Sequence, residues 1–283
     1  MKVLPFKIPK IEAVSLIFQE DREFIFYDKL HQHEEIQISY IQQGDGSVLV
    51  GDAITAYEAG DIIILGSNLP HVFRSDVDAE GKISVMQTIF FTKETFGKTF
   101  FELPELRKLD PFFELIQHGI LIRNNTSDII QHFEQFKTAE EYDRLLIFLA
   151  LLKTLHLAEK KGLSNFVYDK PFTDLEGKRM QSVFEYVMNN YQKNITLSDV
   201  AEVANMTKNA FCKYFKARTN KTFFQFLIEI RVENAAKMLM KNPELSVVEV
   251  AELCGFNNMS NFNRQFKEIK GQTPLVVRSL RKV

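Results

Sequence analysis

Apolar positions along the chain change period. From residue 36 to about 91 they fall into short β-rich runs. Ile36, Ile38 and Tyr40 alternate with polar residues, and 47–50, 53–57, 61–65 and 84–91 are further runs of that kind. This pattern predicts strands. Gly44-Asp-Gly46, Gly51-Asp52, Gly60 and Glu80-Gly81 punctuate them as turns. Residues 1 to about 91 therefore read as many short strands, the pattern of a small barrel or jelly roll. From 92 to about 162 the spacing becomes helical. Phe96, Phe100, Phe101, Leu103 and Leu106 fit a helix, Pro104 is placed to open a new one, and Thr126-Ser-Asp128 caps a run through Ile129, Ile130, Phe133 and Phe136. The strongest predicted helix spans 140–161. It is apolar at Leu145, Leu146, Phe148, Leu149, Leu152, Leu155 and Leu157, and ends in Lys160-Lys161-Gly162. Its apolar arc is wide enough for two faces, one on the barrel and one on a second subunit; the alternative is a purely intramolecular core helix.

Residues 163–173 carry no period and read as a linker. Helical spacing then returns at Met180, Val183, Phe184, Val187, Met188 and Tyr191. Beyond Tyr191 the chain repeats itself. Val200-Ala-Glu-Val-Ala-Asn-Met206 is echoed by Val250-Ala-Glu-Leu-Cys-Gly-Phe256 at an offset of 50. Phe215-Lys216 with Asn220-Lys-Thr-Phe223 is echoed by Phe266-Lys267 with Gly271-Gln-Thr-Pro274 at an offset of 51. The copies thus differ by one inserted residue.

Each copy predicts two short helices around a tight turn. In the first, Ser198 or Thr196 caps a helix through Val200, Val203 and Ala204, which ends at Asn205, a residue that tolerates a left-handed backbone. A second helix comes after it, apolar at Phe211, Tyr214 and Phe215. Ala201 and Ala251 are small enough for the paired helices to cross closely. These are the marks of a helix-turn-helix, at about 197–219 and 246–270. The amphipathic connector between them, Thr222 to about Leu239, would be about 27 Å long at about 1.5 Å per residue. Successive major-groove faces on one side of a duplex lie about 34 Å apart, so such a connector suits two helices in adjacent grooves.

Charge separates the two halves. Residues 171–283 hold 17 Lys+Arg and 11 Asp+Glu, a net of +6, whereas the rest carries a net of −8 within a whole-chain charge of −2. The basic segment suits phosphate and the acidic one does not. A length of 283 residues suits about two domains, and 45% apolar residues are ample for two cores. The only cysteines, Cys212 and Cys254, give no disulfide framework and read as reduced cytosolic thiols. Met1-Lys-Val-Leu-Pro-Phe-Lys7 lacks a signal-peptide apolar stretch, and the longest apolar run, 145–152, is far too short to span a bilayer. No membrane partner and a cytoplasmic location are expected.

The second copy resembles the AraC-type transcription regulators. It carries Gly255-Phe256-Asn-Asn-Met-Ser260-Asn-Phe262-Asn-Arg264-Gln-Phe266-Lys267, then Gly271-Gln-Thr273-Pro274 and Arg278, with Arg231, Ala235-Ala236 and Leu239 upstream. The likeness covers about 100 residues. Val277 departs where the family commonly has Tyr, and Asn220 where the first copy often has Gly. The resemblance implies double-stranded DNA as partner, and RNA polymerase as a second partner for an activator. It places Asn209, Cys212 and Lys213, and then Met259, Ser260, Asn263 and Arg264, at the DNA-reading positions. Asn pairs with adenine and Lys with guanine acceptors, whereas Cys212 suits packing or a thymine methyl better. Arg264 is open between base or phosphate contact and an internal salt bridge. Lys208, Lys216, Lys221 and Lys267 are phosphate candidates or merely solvated charges.

The strand region resembles a cupin. His31-x-His33, Gln37 and Gly44 fit the first cupin motif, and Gly60, Gly66, Asn68 and His71 the second. Metal-binding cupins have Glu at the position of Gln37 and Pro at that of Gly66. His31, His33 and His71 are candidate metal ligands, or else bond a small molecule or tie strands together, and no metal or cofactor is assigned. His31, His33, Gln37, Tyr40, His71 and Phe73 are expected to line an effector pocket, with plain core as the alternative for Tyr40, Phe73 and Tyr57, and the scarcity of arginine favours an uncharged or sugar-like effector.

The sequence therefore reads as an α+β chain of two domains. Residues 1–165 form a cupin-like β-barrel followed by helices, which binds an effector and dimerises through helix 140–161; 166–173 are a linker, and 174–283 an all-α DNA-binding domain. The expected function is a transcription regulator, an activator controlled by a small molecule, and not an enzyme. The alternatives are a regulator without an effector and a metal-dependent cupin enzyme fused to a DNA-binding domain.

Overall fold

The computed structural model describes residues 15–76, 81, 83–165 and 173–279. The expectations for residues 1–14, and for the 166–173 linker apart from Thr173, lie outside them. The chain divides into two compact units, Met1–Pro171 and Phe172–Val283.

The N-terminal unit is built from two facing sheets. Its strands are β1 (Ile17–Glu23), β2 (Ile36–Gln43), β3 (Gly46–Val50), β4 (Ala53–Tyr57), β5 (Ile62–Leu65), β6 (His71–Ser75), β7 (Ser84–Phe91), β8 (Ile120–Ile122) and β9 (Lys161–Gly162). Six of them form one sheet in the order β1-β7-β2-β5-β8-β9, and three form another in the order β4-β3-β6. Among the described residues the two sheets do not close into one hydrogen-bonded barrel, so the architecture is a cupin-like jelly roll. Strands Ile36–Gln43 and Ser84–Phe91 have buried residues on both faces of the large sheet. On one face Ile41, Ile63, Leu65 and Met86 meet Val48, Val50, Tyr57 and Phe73 of the small sheet. On the other, Ile38, Tyr40, Ile64, Ile89 and Phe91 meet Phe112 and Phe113 of α1 (Asp110–Leu115), Phe133 and Phe136 of α2 (Ser127–Thr138), and Phe148, Leu151, Leu152 and Leu155 of α3 (Glu141–Leu157). Burial on both faces is why 62–65 reads as an unbroken apolar run.

Several predicted boundaries shift here. The run through Phe96 and Leu106 is not one helix. It makes turns and two single 3-10 turns, Phe100–Glu102 and Arg107–Leu109, and the α-helix begins only at Asp110 with a proline in its first turn. Rings in this segment pack against one another, Phe96 and Phe100 tilted at 4.8 Å and Phe100 and Phe101 edge to face at 5.1 Å. Thr126 precedes α2 but makes no side-chain cap bond. The helix expected over 140–161 ends at Leu157. Ala158 turns extended, and Lys160 Nζ donates to the carbonyls of Leu155, His156 and Ala158. That closes the helix terminus early and releases Lys161-Gly162 to pair with β8.

The C-terminal unit is all helical. It comprises α4 (Asp174–Asn190), α5 (Leu197–Val203), α6 (Lys208–Thr219), α7 (Phe223–Lys241), α8 (Val247–Leu253), α9 (Met259–Lys270) and α10 (Pro274–Ser279). Capping boxes open α4, α5, α7 and α8 at Thr173, Thr196, Thr222 and Ser246. Of the two predicted caps, Thr196 is the one used. No helix among the described residues is long and apolar enough to cross a membrane.

Candidate nucleic-acid interface and effector site

The repeat folds into two helix-turn-helix units with the same backbone bonding. In the first, Asn205 N donates to Glu202 O at 2.9 Å and Met206 N to Ala201 O at 2.8 Å. In the second, Gly255 N donates to Glu252 O at 2.9 Å and Phe256 N to Ala251 O at 3.0 Å. Asn205 (φ 52°) and Gly255 (φ 83°) are both left-handed. The single inserted residue lies in the second turn, since Ala204 to Thr207 separate the first pair of helices and Cys254 to Asn258 the second. Ala201 and Ala251 are fully buried where the helices cross.

In each unit the second helix buries two phenylalanines and turns polar residues outward. Thr207 and Asn258 cap α6 and α9 through the backbone N–H groups of Ala210 and Asn261. Phe211 and Phe215 anchor α6, with rings 5.5 Å apart, and Phe262 and Phe266 anchor α9 at 5.4 Å. Lys208, Asn209, Cys212, Lys213 and Lys216 are exposed on α6, as are Ser260, Asn263, Arg264 and Lys267 on α9. Met259 is half-buried against the core, which leaves only part of its side chain for a partner. Arg264 touches Asn261 Oδ1 at 3.1 Å and Glu268 at 3.6 Å on its own helix, and its side chain is 65% exposed. An exposed pair of that kind contributes little, so Arg264 is available to an anion.

Both helices are also held from behind. Tyr214 donates to Glu176 O at 2.8 Å, and Arg218 pairs with the Glu176 carboxylate, which binds α6 to α4. Lys270 reaches the buried Glu233 of α7 at 2.7 Å. Arg231 donates to the carbonyls of Tyr191 and Lys193, both at 2.8 Å. Of the lysines offered as phosphate candidates, Lys221 is instead paired with Glu229 at 2.8 Å and partly buried.

The N-terminal unit gathers its three motif histidines. His31 and His71 face each other across an antiparallel bridge, bonded through their main chains at 3.0 and 2.9 Å. Asn68, left-handed at φ 56°, donates its N–H to His33 O at 2.7 Å and draws the third histidine in. One ring nitrogen of each lies within 4.8 Å of those of the other two. Burial pushes the His31 imidazole down to about 4. Burial lowers His33 as well, and His71 further, with the neighbouring imidazoles adding to the burial effect there. The cluster is therefore uncharged at neutral pH. His31, Gln37 and Phe73 also line a cavity of about 330 Å³ with Asp21, Phe26, Tyr27, Met86 and Phe90.

Two family models match the chain, one in each unit. A helix-turn-helix domain matches residues 200–279, and an AraC-like ligand-binding domain matches 13–87. The chain belongs to the AraC-type transcription regulators. An uncharacterized HTH-type transcriptional regulator of Bacillus subtilis, YdeC, is 24% identical over 256 residues, covering 88% of this chain and 85% of its own. An uncharacterized regulator of the same type from the cgkA 5′ region of Pseudoalteromonas carrageenovora is 38% identical over 95 residues, covering 34% of this chain and 55% of its own. The crystal structure of ToxT from Vibrio cholerae covers 94% of this chain and 98% of its own at 14% identity, with a TM-score of 0.37.

In this AraC-type chain one pocket expectation is overturned. Tyr40 lies on the face of β2 opposite Gln37, in the core shared with the helices, with its ring 5.8 Å from that of Phe133. Strand side chains alternate, so residues 37 and 40 cannot share a face. His33 and His71 sit beside His31 at the cluster without lining the cavity. The cavity residues missed in the sequence are Asp21 and Glu23 on β1, Ile25, Phe26 and Tyr27 after it, and Met86 and Phe90 on β7. Alternation along 17–23 was the available signal for the first two, because Asp21 and Glu23 share parity.

Proposed function

We propose that this DNA-binding regulator reads two unlike groove segments with α6 and α9, and that a ligand bound in its N-terminal unit controls that reading. The carrying observation is the pair of outward faces, Asn209, Cys212 and Lys213 against Ser260, Asn263 and Arg264, on two scaffolds of matching backbone. At about 1.5 Å per residue the 19-residue α7 between them is about 28 Å long, which supports adjacent major grooves. Lys208, Lys216 and Lys267 flank the reading faces and suit phosphate. Half-sites of this regulator are then asymmetric. The exposed Tyr142, Leu146 and Leu157 of α3, spaced near whole turns, support a homodimer through that helix.

The test of DNA reading is Asn209→Ala combined with Lys213→Ala in the full chain. Binding to a duplex selected from a random pool should weaken more than binding to unselected DNA. Equal losses on both would remove these residues as readers. For the dimer, light scattering should show Leu146→Asp shifting the full chain toward monomer, and an unchanged mass would count against α3.

A further inference from the structure

The walls of the N-terminal cavity are acidic and aromatic. Strand β1 supplies Asp21 and Glu23, which share one face of the strand, while Glu20 and Arg22 take the other. On that other face Glu20 gathers the nearby bases, Lys137 of α2 at 2.6 Å and Arg22 at 2.7 Å. Hydrogen bonds from Lys137 and Arg22 hold the Glu20 carboxyl down to about 2. Asp21 is placed differently. Burial raises its carboxyl and the neighbouring Glu23 adds to that, against a hydrogen bond from Gln19 Nε2 at 2.7 Å. Among the described residues neither Asp21 nor Glu23 has a basic partner, and none that lines the cavity is Lys or Arg. His31 on the same wall adds no positive charge at neutral pH, because burial holds its imidazole down to about 4. Its Nδ1 proton is bonded to Lys29 O at 2.8 Å, which makes Nε2 an acceptor. The remaining wall includes Phe26, Tyr27, Phe73 and Phe90. Phe26 and Phe73 meet edge to face at 6.3 Å, and Tyr27 meets the His31 ring in the same way at 5.0 Å. Carboxylates and the negative faces of aromatic rings attract the same species, a cation.

We propose that this cavity binds a small organic cation, an ammonium ion on an apolar body, and that this cation is the effector of the N-terminal unit. The inference rests on the proposed control of DNA reading by a ligand and names the class of that ligand. It corrects the uncharged or sugar-like effector expected from the scarcity of arginine, because the same walls carry two carboxylates. Asp21 and Glu23 take the charged head, and the rings take the body. A hard divalent ion suits the site less, since Ca²⁺ takes about 6–8 oxygens and most of this wall offers carbon. At about 30 Å³ per water-sized group, 330 Å³ holds on the order of ten non-hydrogen atoms, which suits one ring with a short chain.

The experiment titrates the full chain with 2-phenylethylammonium, benzylammonium and n-butylammonium, each beside its matching alcohol and carboxylate, with Ca²⁺ as a separate arm. Calorimetry reads the affinities. Affinity for a duplex selected from a random pool is measured with and without each compound. At least one ammonium ion should bind about 10-fold or more tightly than its alcohol, since hydrogen bonds to charged groups are the stronger kind, and its carboxylate should not bind. Asp21→Asn keeps an oxygen for Gln19 while removing the charge, and should lose that preference. Glu23→Gln, at an exposed position, should reduce it several-fold, and Glu159→Gln, outside the cavity, should leave it unchanged. The bound ammonium ion should shift DNA affinity several-fold. Absence of ammonium binding, no preference over the alcohol, or an undiminished preference in both Asp21→Asn and Glu23→Gln overturns the cation. Ca²⁺ binding more tightly than every ammonium ion, and lost in Asp21→Asn, overturns its organic nature. If an alcohol or carboxylate binds instead and shifts DNA affinity, the cation proposal falls and ligand control stands. If an ammonium ion binds as expected and DNA affinity does not move, ligand control falls and the cation site stands. Should Asp21→Asn fail to fold, Glu23→Gln and the wild-type ratio of ammonium to alcohol still decide.

Discussion

The two helix-turn-helix units share a scaffold and differ in almost everything exposed. Phe211 and Phe215 on one side, and Phe262 and Phe266 on the other, occupy equivalent positions with no exposure. The left-handed turn residue is Asn205 in the first and Gly255 in the second. On the reading helices, Lys208, Asn209, Cys212 and Lys213 stand where Met259, Ser260, Asn263 and Arg264 stand in the partner helix. Buried positions answer to a packing requirement that is the same twice. Exposed positions, on the proposed reading, answer to DNA that differs at each end. The supports differ too, since α6 is tied to α4 through Glu176 whereas α9 is tied to α7 through Glu233.

The harshest challenge to that equivalence is core truncation. Phe211→Ala and Phe262→Ala should each destabilise by about 3–5 kcal/mol in denaturant unfolding. A large loss in one unit and a small one in the other would mean that the scaffolds are not equivalent. Gly255→Ala separates the turns. A Cβ there would stand 2.8 Å from the carbonyls of both Tyr191 and Gln192, on top of the left-handed backbone. A loss of about 2–3 kcal/mol is expected, against about 1 kcal/mol for Asn205→Ala, where strain alone acts. Equal losses would remove the close approach as the cause.

The reading faces give the next largest effects. Arg264→Ala should lower affinity for a selected duplex by about 1–3 kcal/mol and relax sequence preference at one position. Lys216→Ala should weaken all sequences alike and reduce the salt slope by about one ion. The reverse assignment would exchange the roles of reader and phosphate contact. The smallest effect is shared by both units. Hydrogen bonds from the caps Thr196 and Ser246 hold Asp199 and Glu249 below their ordinary values of 3.8 and 4.5. A lowered folded value means that the stability contribution is present above the ordinary value and lost as pH falls through the folded one. Acid below those ordinary values should therefore loosen both caps together. Asp199→Asn and Glu249→Gln should each flatten that part of the pH–stability curve, and a response from one unit alone would break the pairing.

Much of the C-terminal unit was legible because its signals are local. Thr196, Asn205 and the paired phenylalanines act within a turn or two of their own positions. The single-residue offset between the copies was also visible, though its place in the second turn was not. In the N-terminal unit, legibility failed where long-range pairing decides. Strand β8 was hidden inside a stretch read as helical, because three residues have no period of their own. Helix 140–161 read too long because Lys160 caps the carbonyls of α3 and frees Lys161 for a strand. Tyr40 was drawn into the pocket on motif proximity, although strand parity places it on the other face.

By itself, then, the sequence determined two domains, the doubled helix-turn-helix, its buried and exposed faces and the family. These come from periodicity, capping residues and motif spacing, all of which act over a few residues. Only the tertiary structure decided which residues line the cavity and that the large sheet is buried on both sides. It alone placed His31 opposite His71 with an unsatisfied nitrogen between strands 40 residues apart in the chain. Strand pairing couples residues distant in the chain, and no local spacing encodes which nitrogen is left without a partner.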